Sequence, residues 1–154
     1  MKITKELLKE KGACAAGYRD FLKEYPVDKY PDGVEYQELL DCCAEKDFSY
    51  GSWLLGAFGK TDEVRKIDGD LIVEKGIIFA GQLEVKGCIE AGEDIEAGRG
   101  IKAGDGIEVG DEFGIYAGLC CRITNKTQRK IIAKNRPENI MCGEFEEKKD
   151  DAVR

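Results

Sequence analysis

Histidine is absent from this 154-residue chain, and only two serines occur, Ser49 and Ser52. A Ser-His-Asp hydrolase, a His-ligated metal centre and a His-dependent acyltransferase each lose a necessary group on that count. Long apolar runs are missing too. The N-terminal Met1-Lys2-Ile3-Thr4-Lys5-Glu6 alternates charge where a signal peptide carries an unbroken apolar stretch. Base is in deficit, with 24 Lys+Arg against 31 Asp+Glu and a net charge of −7, which disfavours direct binding of nucleic acid. Cysteine is plentiful, but the seven (Cys14, Cys42, Cys43, Cys88, Cys120, Cys121, Cys142) are odd in number and show no Cys-x-x-Cys spacing. Reduced structural thiols in a soluble, cytoplasmic protein follow. No catalytic residue, cofactor, metal or membrane association is expected, and the chain reads as no enzyme.

What is present is a repeat. Leu71, Ile77, Leu83, Ile89, Ile95, Ile101 and Ile107 stand six apart, and a second apolar residue follows each two positions on, as Val73, Phe79, Val85, Ala91, Ala97, Ala103 or Val109. Glycine comes next in the last four units, as Gly92, Gly98, Gly104 and Gly110. An apolar-x-apolar triplet is a short strand with two side chains on one face. The glycine then suits the unusual dihedrals of a tight corner. One triplet and one corner per hexad make a β-solenoid. Either two or three hexads close a coil, and three are favoured because Ile, Val and Phe need room inside. After a two-residue insertion at Phe113-Gly114 the pattern resumes as Ile115-Tyr116-Ala117-Gly118.

Before the repeat the spacing is helical. Ile3, Leu7 and Leu8, then Tyr18, Phe21, Leu22 and Tyr25 ending at Pro26, then Tyr36, Leu39, Leu40 and Cys43, then Trp53, Leu54, Ala57 and Phe58 recur at three and four residues. Ser49 is the expected cap of the last helix. The aromatic group Phe48, Tyr50, Trp53 and Phe58 is expected in the core, with Tyr30, Tyr36 and Tyr116 less so. The fold class is therefore α+β: a helical module over 1–66, a short hexapeptide β-solenoid over 67–121, and over 122–154 a basic segment with short capping strands and a charged, frayed tail. Twelve of the 19 glycines lie between 67 and 118, which supports the first boundary.

Charge is segregated as well. The segment 67–118 holds 4 basic and 12 acidic residues. With 18 residues per coil, Glu90, Glu93 and Asp94 lie under Glu108, Asp111 and Glu112, six carboxylates stacked on one face. They are the candidate partner-binding residues, because clustered carboxylates steer basic surfaces; solubility of an apolar-cored tube is the plainer account and ranks ahead of it. Arg122, Lys126, Arg129, Lys130, Lys134 and Arg136 form a run without an acid. Salt bridging within the protein or in a homodimer is the expected role of Arg122, Lys126, Arg129 and Lys130, ahead of phosphate contact.

The hexads resemble the left-handed helices of hexapeptide acyltransferases in architecture only, since the catalytic histidine of those enzymes is missing. They are similar to bactofilins in the style of the core. Over most of the chain, Ile3-Thr4-Lys5-Glu6-Leu7-Leu8, Ala13-Cys14, Tyr36-Gln37-Glu38-Leu39-Leu40, Trp53-Leu54-Leu55, Ile67-Asp68-Gly69-Asp70-Leu71 and Gly100-Ile101-Lys102-Ala103-Gly104 resemble small bacterial, phage and mobile-element proteins. Where that group has lysine, this chain has Glu90, Glu96 and Glu108. The resemblance implies a non-catalytic domain. With the acidity it suggests a phage-encoded anti-CRISPR or other anti-defence inhibitor that occludes a basic, nucleic-acid-binding host protein, as a DNA mimic would; the alternative is a self-assembling scaffold.

Overall fold

The computed structural model of the chain describes residues 1–118 and 130–149. Its helical part opens with β1 (Lys2–Ile3) and α1 (Lys5–Glu10), whose first turn is capped by Thr4 Oγ1 accepting from Leu7 N at 3.2 Å. Helix α2 (Ala15–Glu24) starts at Cys14, where Sγ accepts from Gly17 N, and stops before Pro26. Strand β2 (Val34–Glu35) pairs antiparallel with β1, an addition that helical spacing alone did not announce. Helices α3 (Tyr36–Lys46) and α4 (Phe48–Phe58) complete the module. Asp47, rather than Ser49, caps α4; its carboxylate accepts from both Ser49 N and Ser49 Oγ. Gly59, at φ 81°, ends it. Ile3, Leu8, Phe21, Leu39, Leu40, Leu54 and Leu55 form the module's core, joined by Ile78 and Ala80 from the solenoid.

The solenoid has three walls of parallel strands. The first consists of β3 (Val64–Ile67), β6 (Gln82–Val85), β9 (Ile101–Ala103), β12 (Lys130–Ala133) and β14 (Glu144–Glu147). The second holds β4 (Leu71–Val73), β7 (Ile89–Ala91) and β10 (Ile107–Val109). The third holds β5 (Ile77–Phe79), β8 (Ile95–Ala97), β11 (Ile115–Ala117) and β13 (Ile140–Cys142). Leu71 pairs with Ile89, Ile77 with Ile95 and Leu83 with Ile101, so a coil takes 18 residues and three hexads. The two-residue insertion lengthens the next coil, and Ile115 stacks on Ile95. The first and third residues of each triplet point inward, Ile with Ala in β7, β8, β9 and β11 and larger pairs such as Ile77 with Phe79 in the lower coil, giving a column of large and small apolar side chains. Each buried isoleucine contributes about 1.5–3 kcal/mol.

The corner glycines have another reason than the one spacing suggests. Gly92, Gly98, Gly104 and Gly110 are absent from the positive-φ glycines of the chain. A Cβ on any of them would instead collide with the carbonyl oxygen 18 residues earlier, that of Glu74, Ala80, Lys86 or Gly92. Stacking of coils, not reversal of the chain, demands glycine there. The expected fraying also fails at Glu144–Glu147. These residues pair in register on β12, and Phe145 reaches the solenoid core. Alternation explains it: Phe145 points in while Glu144 and Glu146 are exposed.

Candidate functional site

The middle residue of each triplet points outward, so register sets the chemistry of every wall. On the first wall Lys66, Glu84, Lys102, Ile132 and Glu146 are neighbours in that order, and unlike charges alternate along the lower three. On the second wall the order is Ile72, Glu90, Glu108. There two exposed carboxylates adjoin on paired strands with no cation between them, an arrangement that costs up to about 1 kcal/mol. On the third wall it is Ile78, Glu96, Tyr116 and Cys142.

The six candidate carboxylates therefore part company. Glu90 and Glu108 are adjacent. Glu93 is held by Lys75 at 3.6 Å. Asp94 accepts from Gly114 N at 2.7 Å, because the insertion brings Gly114, and not Glu112, over it. Asp111 and Glu112 are exposed in the bulged turn. The expected stack of six is thus corrected to a pair in register with further acids around it.

Of the basic run, Arg122, Lys126 and Arg129 lie outside the described residues. Lys130 forms an ion pair with Glu146 across β12 and β14, and Lys134 with Asp105 at 2.9 Å. Arg136 stands over the Phe145 ring, 5.8 Å from its centre.

Sequence reasoning noted Glu96 only as an acid in place of lysine and gave it no site role, since it reads like any other outward acid of an Ile-Glu-Ala unit. Helix α4 lies over this stretch of the third wall, so the side chain is only 1% exposed. Ser52 Oγ donates to Glu96 Oε2 at 2.6 Å, whereas Oε1 is buried with no partner among the described residues. Burial raises the Glu96 pKa; the Ser52 hydroxyl opposes this and the nearby Asp94 charge adds to it.

Between α2, α3 and α4 lies a cavity of about 580 Å³ onto which Cys14, Cys42, Cys43, Tyr25, Tyr50 and Trp53 open. Burial, with help from Cys42 and Asp47, pushes the Cys43 thiol up to about 12, so it is a neutral thiol and no activated nucleophile. Burial and the Asp70 side chain raise Cys88 as well. The five described cysteines are free. Two aromatic expectations change: Tyr36 is core, its hydroxyl donating to Gly59 O at 2.9 Å, whereas Trp53 is 38% exposed. The Phe48 side chain lies outside the described residues. No described helix is long and apolar enough to cross a membrane.

Comparison of the chain with protein-family models, with curated proteins and with solved structures gives no match.

Proposed function

We propose that the chain is a non-catalytic protein-binding module that engages a basic surface of its partner through the second wall of the solenoid. The observation that carries this reading is the in-register pairing of Glu90 with Glu108, both exposed. The first wall has the same geometry and interleaves lysine between its acids, so like charge is not forced on the chain by the fold. A face that bears repulsion in the free protein gains when a cationic surface covers it. Host proteins that normally hold nucleic acid carry such surfaces, and occluding one makes the chain an inhibitor.

Capture from host lysate at low and moderate salt, by the native chain and by the variant E90K/E108K, tests this. A stoichiometric partner lost both on raising salt and on charge reversal is expected. Capture indifferent to both overturns the reading. Self-assembly as a scaffold is the second reading, favoured by β4 and β10, which each have a strand neighbour on one side only among the described residues. A mass that stays monomeric at every concentration sinks it.

A further inference from the structure

At its lower end each solenoid wall finishes on a strand with one unpaired edge. The third wall is closed there. The Gln37 side chain from α3 donates to Ile78 O at 2.8 Å and accepts from Ala80 N at 3.1 Å, doing for β5 what another strand would do. Nothing similar covers β4 among the described residues. Leu71 N donates to Cys88 O and Val73 O accepts from Gly92 N, so both of these residues face β7. Alternation leaves the Ile72 N–H and C=O pointing away from the sheet. Its side chain is 62% exposed. Beside this edge a cleft of about 690 Å³ runs under α3, floored by Leu71, Val73, Ile77 and Phe79, which are the solenoid's own interior side chains. Asp41, Glu45 and Glu74 line it with Arg65 and Lys75. Arg65 is engaged by Asp41 and Lys75 by Glu93, whereas Glu45 and Glu74 form no ion pair among the described residues.

We infer that this edge and cleft take up an extended segment of a partner protein, apolar at alternate positions and flanked by lysine or arginine. One strand added to β4 would satisfy the Ile72 amide, set its inward side chains on Leu71 and Val73, and bring its cations to Glu45 and Glu74. A second copy of the chain fits less well. Antiparallel pairing about Ile72 sets Asp70 against the copy's Glu74, like against like. Head-to-tail stacking meets a recess, because the first and third walls continue past β10 as β12, β14 and β13. The inference rests on the proposed function for the sign of the partner's charge, and adds the mode and place of binding.

The test is an NMR titration of the full chain with two capped heptapeptides, one alternating lysine with valine and one alternating glutamate with valine. Saturable shifts at the Ile72 and Val73 amides are expected, with the lysine peptide roughly ten-fold the tighter. Ile72→Pro deletes an N–H that bonds to nothing in the fold, and should weaken binding by roughly the same factor. The surface variant E45K/E74K should abolish the preference for lysine, and serves where the proline variant does not fold. Three results overturn the inference: no shift at β4 with millimolar lysine peptide, equal binding of the glutamate peptide, or shifts at β4 that follow dilution of the chain alone, which mark a second copy. Peptide binding that survives while lysate capture ignores E90K/E108K removes the proposed function and leaves the strand site. The converse removes the strand site only.

Discussion

The guanidinium of Arg65 sits over the ring of Phe79, 4.8 Å from its centre, at the lower mouth of the solenoid. Arg65 belongs to the inward column that Leu83, Ile101 and Ile131 continue upward. The cation therefore closes an apolar shaft, and Asp41 of α3 holds it at 3.7 Å. Phe145 ends the same column at the top, under Arg136. Replacing Arg65 by alanine should lower stability by about 1–2 kcal/mol, the sum of one cation–π contact and one half-exposed ion pair. Lysine should recover only part, because it cannot lie flat on the ring. Urea unfolding of the three proteins checks this.

Glu96 makes stability depend on pH in a definite direction. Its folded pKa is raised, so the folded chain holds that proton more firmly than the unfolded chain. The free energy of unfolding then falls as pH rises from the ordinary glutamate range through the raised value, and levels off above it. E96Q keeps the shape and removes the ionisation. The difference between native and E96Q stabilities should grow across that window in favour of the variant, as thermal melts at a series of pH values would reveal. A flat difference would mean that Glu96 titrates normally.

Ser52→Ala removes the hydroxyl that donates to this carboxyl, the one that reaches it among the described residues. With Oε1 already unpartnered, the loss should cost about 1–3 kcal/mol and should nearly vanish in an E96L background. A double-mutant cycle supplies the coupling.

Gln37→Ala unpairs Ile78 O and Ala80 N together. The expected loss is about 1–3 kcal/mol. Hydrogen exchange at the Ala80 amide should quicken more than at amides in β8 or β9, which locates the effect at the edge rather than in the fold at large.

The glycines permit a paired control. Gly104→Ala drives a Cβ into the carbonyl of Lys86, and should destabilise by more than about 2 kcal/mol. Gly106, two residues on, meets nothing within 4 Å, and alanine there should stay within about 0.5 kcal/mol. Similar losses at both positions would contradict the stacking account.

The hexads announced the solenoid because a six-residue period survives in both the aliphatic and the glycine positions. The four helices likewise declared their apolar faces. What lay hidden shares one cause. In Ile-x-Ala the central residue points outward on every wall, and the repeat does not say which wall is covered. That is decided by where α3 and α4 settle, so Glu90 and Glu96, alike in sequence, end exposed and buried. Arg65 was hidden for the same kind of reason, since an inward position at the mouth of a tube tolerates a cation that one coil higher it would not. The stack of six acids failed because the two inserted residues lengthen one corner of the coil, so that Gly114 and not Glu112 comes to lie over Asp94.

The amide of Gln37 has a bearing on how the chain comes to be built. Synthesis delivers the helical module first, and with it a finished lower rim for the third wall. Each later coil then needs only the coil already beneath it, so growth can advance upward one turn at a time in the order of translation. The module is in this sense the foundation course of the tube, and a chain lacking residues 1–60 would have to begin its masonry in mid-air.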